Sequence, residues 1–284
     1  MHSVSSSTLS RREFLGAVGA AGVALSGAPL AHAAARKKIP VGLQLYSVRE
    51  QCKADLPGTL AAVAKIGYPG VEFAGYHGRR AKELRQLLDD NGLKVCGTHT
   101  PYDSVLGDKL KETIEFNRTI GNRFLIVSYM GEDRMGTVEK IGETAKLFTE
   151  IAAKVKPDGM RVGYHAHGGD FKKVDGETAW DRFFTAAGSD VTMQMDLGNC
   201  LGGGGDPYAT LKKFPGRSAT IHLKEHGGKP GAPVGEGDVK WDEVFRLCET
   251  TGRTEWYIVE QESYAGAPLD SVKQCIDNLR KRGK

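Results

Sequence analysis

The sequence predicts an α/β protein, a single-domain (β/α)8 TIM barrel preceded by a cleavable signal peptide. Three observations lead there. Eight short apolar or β-branched runs recur at 41–46, 70–73, 94–98, 123–128, 161–165, 192–196, 219–223 and 256–260. A segment of helical periodicity follows nearly every run, which is the rhythm of parallel βα units. The 284 residues less the first 33 leave 251. Eight units of about 31 residues match the ~250 residues typical of this barrel. A doubly wound open sheet normally has a glycine-rich phosphate turn after its first strand. Here that strand runs into Gln44-Leu45-Tyr46-Ser47-Val48-Arg49, with no GxGxxG.

The elements follow in order. Ser10-Arg11-Arg12-Glu13-Phe14-Leu15 precedes a charge-free stretch, 14–30, and then Ala31-His32-Ala33. A basic start, a mildly apolar run and a small-x-small site are the parts of an export signal, and the paired arginines resemble a twin-arginine leader. At about 17 residues the apolar run is short for a membrane span, which needs about 20, and no cysteine follows it closely to carry a lipid. The expectation is a signal peptide over 1–33, passage through the twin-arginine translocase, and a periplasmic or secreted barrel over 39–284. No stable membrane anchor is expected.

Within the barrel, residues 59–66 repeat apolar positions at helical spacing and stop at Gly67. Residues 81–90 carry Leu84, Leu87 and Leu88 on one face before Gly92. Thr137 predicts an N-cap for a helix through Val155, with Pro157 and Gly159 behind it. Asp206 predicts a cap ahead of Pro207. Residues 241–251 carry Trp241, Val244, Phe245 and Cys248 on one face and stop at Gly252. Gly202-Gly203-Gly204-Gly205 predicts a flexible loop at the barrel mouth; with no GK[ST] nearby it is not a P-loop.

Composition excludes several classes. Lys+Arg is 39 against Asp+Glu 35, a net +4; without 1–33, which hold two Arg and one Glu, it is 37 against 34, or +3. That balance is too small and too dispersed for a nucleic-acid footprint. Five cysteines with no CxxC argue against a disulfide framework or a zinc knuckle.

In this barrel the chemistry sits at the C-terminal strand ends. Those ends hold Gln44, Tyr46 and Arg49 (first strand), Glu72 (second), His99 (third), His165 and His167 (fifth), Asp196 and Asn199 (sixth), His222 and Lys224 (seventh), and Glu260 (eighth). Four successive strands ending in His165, Asp196, His222 and Glu260 predict one divalent metal ion. Two imidazoles and two carboxylates suit Mn, Zn, Co or Fe and leave positions open for substrate oxygens.

An ordered set of motifs then resembles the sugar phosphate isomerase/epimerase family, the xylose isomerase-like TIM barrels, over essentially all of 39–284. They are Gly42-Leu43-Gln44-Leu45-Tyr46-Ser47, Gly67-Tyr68-Pro69-Gly70-Val71-Glu72, Tyr164-His165-Ala166-His167, Met195-Asp196-Leu197-Gly198-Asn199, Gly204-Gly205-Asp206-Pro207, Ile221-His222-Leu223-Lys224, Gly235-Glu236-Gly237 and Val259-Glu260-Gln261. The resemblance implies the same four metal ligands. It also implies that many members carry Glu where this chain has His165, and use two glutamates to pass a proton across both faces of an enediolate.

The chemistry expected is proton abstraction next to a carbonyl through a metal-stabilised enediolate, on an unphosphorylated sugar or keto-sugar. Glu260 is the expected base. His167 is a second acid/base group on the same strand face, and Lys224 an oxyanion stabiliser. Glu72, His99, Arg49, Gln44 and Asn199 are expected to bind substrate. An isomerase or epimerase is the first reading. A keto-glycoside or keto-sugar lyase or hydratase on the same site is the second. A non-catalytic carbohydrate-binding protein and an abasic-site endonuclease with Glu72, His77 and His99 as extra ligands are further alternatives.

Overall fold

The eight predicted runs become eight parallel strands in the computed structural model, which describes residues 38–284. The export signal expected at 1–33 lies outside the described residues. The strands are β1 (Val41–Gln44), β2 (Gly70–Phe73), β3 (Lys94–Thr100), β4 (Phe124–Val127), β5 (Arg161–His165), β6 (Thr192–Gln194), β7 (Thr220–Leu223) and β8 (Trp256–Val259). Their order is β6-β5-β4-β3-β2-β1-β8-β7. The ring closes between β6 and β7 through one parallel bridge, Asp196 with His222, where the His222 amide donates to the Met195 carbonyl at 2.8 Å.

Eight helices alternate with the strands: α1 (Leu56–Ile66), α2 (Ala81–Asp90), α3 (Lys109–Ile120), α4 (Val138–Val155), α5 (Ala179–Ala186), α6 (Pro207–Lys213), α7 (Trp241–Leu247) and α8 (Pro268–Lys281). The expected caps form. The Thr137 hydroxyl accepts from the Lys140 amide at 3.3 Å, and Asp206 accepts from the Ala209 amide at 2.9 Å. Helix α1 ends at Gly67, whose φ of 102° puts it in the left-handed region that closes a helix without a Cβ penalty. Helix α4 buries Ile141, Ala145, Phe148, Ile151, Ala152 and Val155, a stripe at helical spacing. Burial stabilises its larger side chains by roughly 1.5–3 kcal/mol each.

Three expectations are corrected. Residues 45–46 leave the first strand, because the Gln44 side chain accepts from the Tyr46 amide at 3.0 Å and starts a 3-10 turn, Leu45–Val48. The helix expected through residue 251 ends at Leu247 and widens into a π-turn, Cys248–Gly252. The glycine run is no open loop at the mouth. The amides of Gly203, Gly204 and Gly205 donate to Asn199, Leu201 and Cys200 carbonyls, closing a short helix, Leu197–Gly202. A Cβ on Gly203 would lie 2.3 Å from the Gly168 carbonyl oxygen. These glycines permit close backbone packing.

The apolar core lies mainly between strands and helices. Inside the cylinder a small plug of Phe124, Ile126 and Ala219, with Trp256 against it, fills part of the space. A polar layer also occupies the interior, and a bulge in β3 shapes it. The pairing with β2 steps from Val71–Val95 to Glu72–Gly97, leaving Cys96 as the extra residue. One added residue reverses which side chains face inward. His99 therefore turns into the barrel. Thr98 turns outward, where its hydroxyl meets Asn117 of α3 at 3.3 Å and Asn122 at 3.2 Å.

Candidate metal centre and active-site cleft

Residues at the C-terminal ends of β5–β8 converge as the sequence spacing required. His165, Asp196, His222 and Glu260 each offer a donor atom, and all four atoms lie within 4.8 Å of one another. All four residues are buried. His222 Nδ1 lies 2.9 Å from Glu260 Oε2 and 3.7 Å from Asp196 Oδ2; His165 Nε2 lies 3.7 Å from the same Glu260 oxygen. Asp196 Oδ1 accepts from the Asn199 amide at 2.6 Å, but its Oδ2 is buried with no hydrogen-bond partner. An orphaned carboxylate oxygen is costly unless something cationic meets it. With two imidazoles and a second carboxylate around it, the set fits a borderline divalent cation.

Burial would raise the Asp196 carboxyl, but His222 and Lys224 outweigh it and hold the carboxyl below its usual range. Burial pushes Glu260 up to about 7 despite the nearby His222. Burial, helped by His222 and His99, holds His165 well below the normal imidazole value, and burial lowers His99 to about 4. For His165 that direction suits metal ligation, which requires a neutral ring. Burial would also lower His222, yet Glu72 and Glu260 reverse this and raise it well above normal.

A cleft of about 570 Å³ opens beside the cluster. It is lined in part by Tyr46, His99, Tyr102, Tyr129, His167 and Glu262, and reaches His165 and Glu260. His167 forms one edge, its ring centroid 4.9 Å from that of His165. Its amide donates to Asp170 at 2.7 Å, and its Nδ1 is buried without a partner. Tyr46 and Tyr129 stand 43% and 67% exposed at the cleft. Among the described residues no lysine or arginine lines this cleft.

Other expected site residues lie elsewhere. Glu72 is wholly buried, and both its oxygens are engaged by Gln44, Gln194 and His222. Neither Glu72 nor Gln44 is in the cleft lining. Arg49 donates to the Tyr46 carbonyl at 3.1 Å and to the Tyr264 hydroxyl at 3.0 Å, with its guanidinium over the Tyr46 ring. It braces the mouth without lining it. Lys224 pairs with Glu262 and donates to Asn199 Oδ1 at 2.8 Å, and Asn199 donates to the Ala166 carbonyl at 2.9 Å. Lys224 is therefore spoken for and stands outside the cleft. His77 is exposed and lies outside the cluster of His165, Asp196, His222 and Glu260.

Sequence reasoning missed Gln194, Tyr102, Tyr129 and Glu262. For Gln194 the signal was present: it stands two residues before Asp196, on the same strand face. A larger cleft, about 650 Å³, opens among Arg161, Asp190, Arg217, Arg253 and Glu255. Most of its charged groups are already committed. Arg217 donates to the carbonyls of Phe184, Ala187, Gly188 and Val191, Arg161 pairs with Glu255, and Asp190 pairs with Lys156. The smaller cleft is the one that reaches the four-residue cluster.

A closed βα barrel with ionisable groups gathered on its C-terminal strand ends defines a barrel enzyme. The chain belongs to the xylose isomerase-like TIM barrel family, whose pattern matches residues 60–282. It is similar to an inosose dehydratase from Serratia proteamaculans, 24% identical over 245 residues, covering 72% of this chain and 81% of that protein. Among solved structures it is similar to a sugar phosphate isomerase/epimerase from Parabacteroides distasonis, with a TM-score of 0.74, 24% identity, and 86% and 98% of the two chains covered. It is also similar to the probable 3-DHS dehydratase involved in petrobactin synthesis from Bacillus anthracis, with a TM-score of 0.62, 15% identity, and 86% and 100% covered.

Proposed function

We propose that this chain is a divalent-metal-dependent lyase that removes water from an uncharged keto-polyol, either a keto-sugar or a cyclic polyol ketone. Residues 1–33 would export it through the twin-arginine translocase to the periplasm or beyond. His165, Asp196, His222 and Glu260 would hold the ion. A cation there supplies Lewis acidity to the substrate carbonyl. The names of the dehydratases among its relatives support this reading, as does the lack of any cation in the cleft to hold a phosphate.

One observation favours elimination over epimerisation. The carboxylates lining the cleft, Glu260 and Glu262, both follow β8. A two-carboxylate shuttle needs partners from two strands. The group best placed to move a proton is His167, whose imidazole burial lowers from its ordinary value. Its imidazole takes the proton from the carbon next to the ketone. The carbon–carbon double bond forms as the β-carbon–oxygen bond breaks. The same imidazolium returns its proton to the departing hydroxyl, which leaves as water. Tyr46 and Tyr129 present faces to the C–H side of the substrate ring.

Incubation of the metal-loaded chain with keto-inositols, ketoses and keto-glycosides in deuterated water, followed by NMR, tests this. A dehydrated product is expected. Deuterated epimer without dehydrated product would replace the lyase by an epimerase. No reaction across the panel would refute the enzyme reading.

A further inference from the structure

Hydrogen bonds beneath the cluster fix which nitrogen of each histidine faces it. The Gln194 side chain spans the barrel interior. Its Nε2 donates to Glu72 Oε1 at 2.8 Å and to the Thr220 hydroxyl at 3.0 Å. Flipping that amide would set its carbonyl against a carboxylate, so the orientation is determined by Glu72. Gln194 Oε1 therefore accepts, and it faces His165 Nδ1 at 3.0 Å and His99 Nε2 at 3.1 Å. His165 must then carry its proton on Nδ1. Its Nε2 keeps the lone pair, and Nε2 is the atom nearer Glu260.

Glu72 acts directly on the second imidazole. Its Oε2 lies 2.5 Å from His222 Nε2 and also accepts from Gln44 Nε2 at 2.9 Å. A carboxylate at that distance requires a proton on Nε2. His222 turns Nδ1 toward Asp196 and Glu260, and the proton it shares there with Glu260 Oε2 at 2.9 Å must leave before an ion can take that nitrogen. The two imidazoles thus turn opposite nitrogens to the cluster, Nε2 of His165 and Nδ1 of His222. Gly97 makes this possible: a Cβ there would sit 2.2 Å from Glu72 Oε1.

We infer that Glu72 and Gln194 are a positioning pair that sets the tautomers of both metal-binding histidines. Outer partners of this kind orient a ligand ring and fix its donor atom. The inference rests on the metal-binding reading above, and one experiment separates the two. The full chain, with 15N-labelled histidine, is examined by long-range 1H–15N NMR without metal and with Zn²⁺. Expected signals are Nδ1–H with metallated Nε2 for His165, and Nε2–H with metallated Nδ1 for His222. A wild-type chain that binds no Zn²⁺ refutes the metal reading. The metal-free His165 tautomer still decides the inference, with an Nε2–H form overturning it.

Glu72→Gln keeps the size of the side chain and removes the charge. It should weaken Zn²⁺ binding about 10- to 100-fold and broaden or move the His222 Nε2–H signal, with Glu72→Asp recovering part of the affinity. Wild-type affinity together with unchanged tautomer signals in Glu72→Gln would overturn the proposal. If that variant does not fold, the wild-type spectrum alone decides.

Discussion

Asp196→Asn separates the two tasks of one carboxylate. Oδ1 caps the short helix Leu197–Gly202 by accepting from the Asn199 amide at 2.6 Å, while Oδ2 is buried and unpartnered beside His222. Asparagine keeps the capping oxygen and puts an amide or a neutral carbonyl where the orphan stood. The cap is therefore retained, but the carboxylate that His222 and Lys224 favour is lost, so the thermal midpoint of the metal-free chain should fall modestly. Asp196→Ala loses the cap as well, at a cost of about 1 kcal/mol. Structural zinc sites with four ligands contribute about 10–16 kcal/mol in peptides. An even quarter of that is about 2.5–4 kcal/mol, or roughly 60- to 700-fold in affinity at 1.4 kcal/mol per decade. Chelator-competition titration with Zn²⁺ or Co²⁺ measures the loss. Heating with and without metal supplies the second readout, since a ligand at about 100 times its Kd adds about 2.7 kcal/mol to stability. Asp196→Asn binding metal with wild-type affinity would remove Asp196 from the ligand set.

Three further outcomes are expected. Because the Glu260 carboxyl is raised to about 7, protons compete with the cation below that value. Metal affinity should rise with pH through about 7 and go on rising above it, because the raised His222 must also give up a proton, and titration calorimetry at pH 6 and pH 8 in buffers of different ionisation heat reads the protons released. In the metal-free chain the same raised value favours stability below the unfolded carboxyl range, and that contribution is lost as pH rises through about 7. Gly97→Ala should displace Glu72, costing about 1–3 kcal/mol by overpacking and weakening metal binding, as shown by denaturant midpoints and Zn²⁺ titration. Tyr129→Ala, at an exposed position, should change stability by no more than about 0.5 kcal/mol while raising KM about 2- to 10-fold, the worth of one ring contact; an unchanged KM would exclude stacking.

The fold was legible because its signal is periodic and local. Strands β2 and β5 fall on the expected residues, and the caps at Thr137 and Asp206 read directly. The four-residue cluster was legible because strand ends of adjacent βα units must meet in a closed barrel. What failed depends on non-local geometry. Nothing in Val95-Cys96-Gly97 announces a bulge, so the inward turn of His99 depends on pairing with β2. Glu72 was expected to bind substrate because it ends a strand. It faces His222 instead, since Gly97 lets it lean across the interior. Lys224 and Arg49 sit at the right height, but each meets a side chain from a distant loop, Glu262 and Tyr264. Tyr129 follows a strand whose end offered no ionisable residue, so it drew no notice.

The bridge between Asp196 and His222 has a mechanical consequence. Seven of the eight strand junctions among the described residues are ladders of three or more residue pairs, while this one is a single bridge. It is the junction with the fewest ladder pairs, held also by the Met193 amide on the Arg217 carbonyl at 2.8 Å and by Gln194 on the Thr220 hydroxyl at 3.0 Å. Both residues at the seam belong to the proposed ion site, so a bound cation would rivet it shut. Occupancy would then govern the rate at which the barrel springs open, as well as what it catalyses. Stripping the ion should leave hydrogen exchange fastest along β6 and β7, far sooner than at β2 or β3.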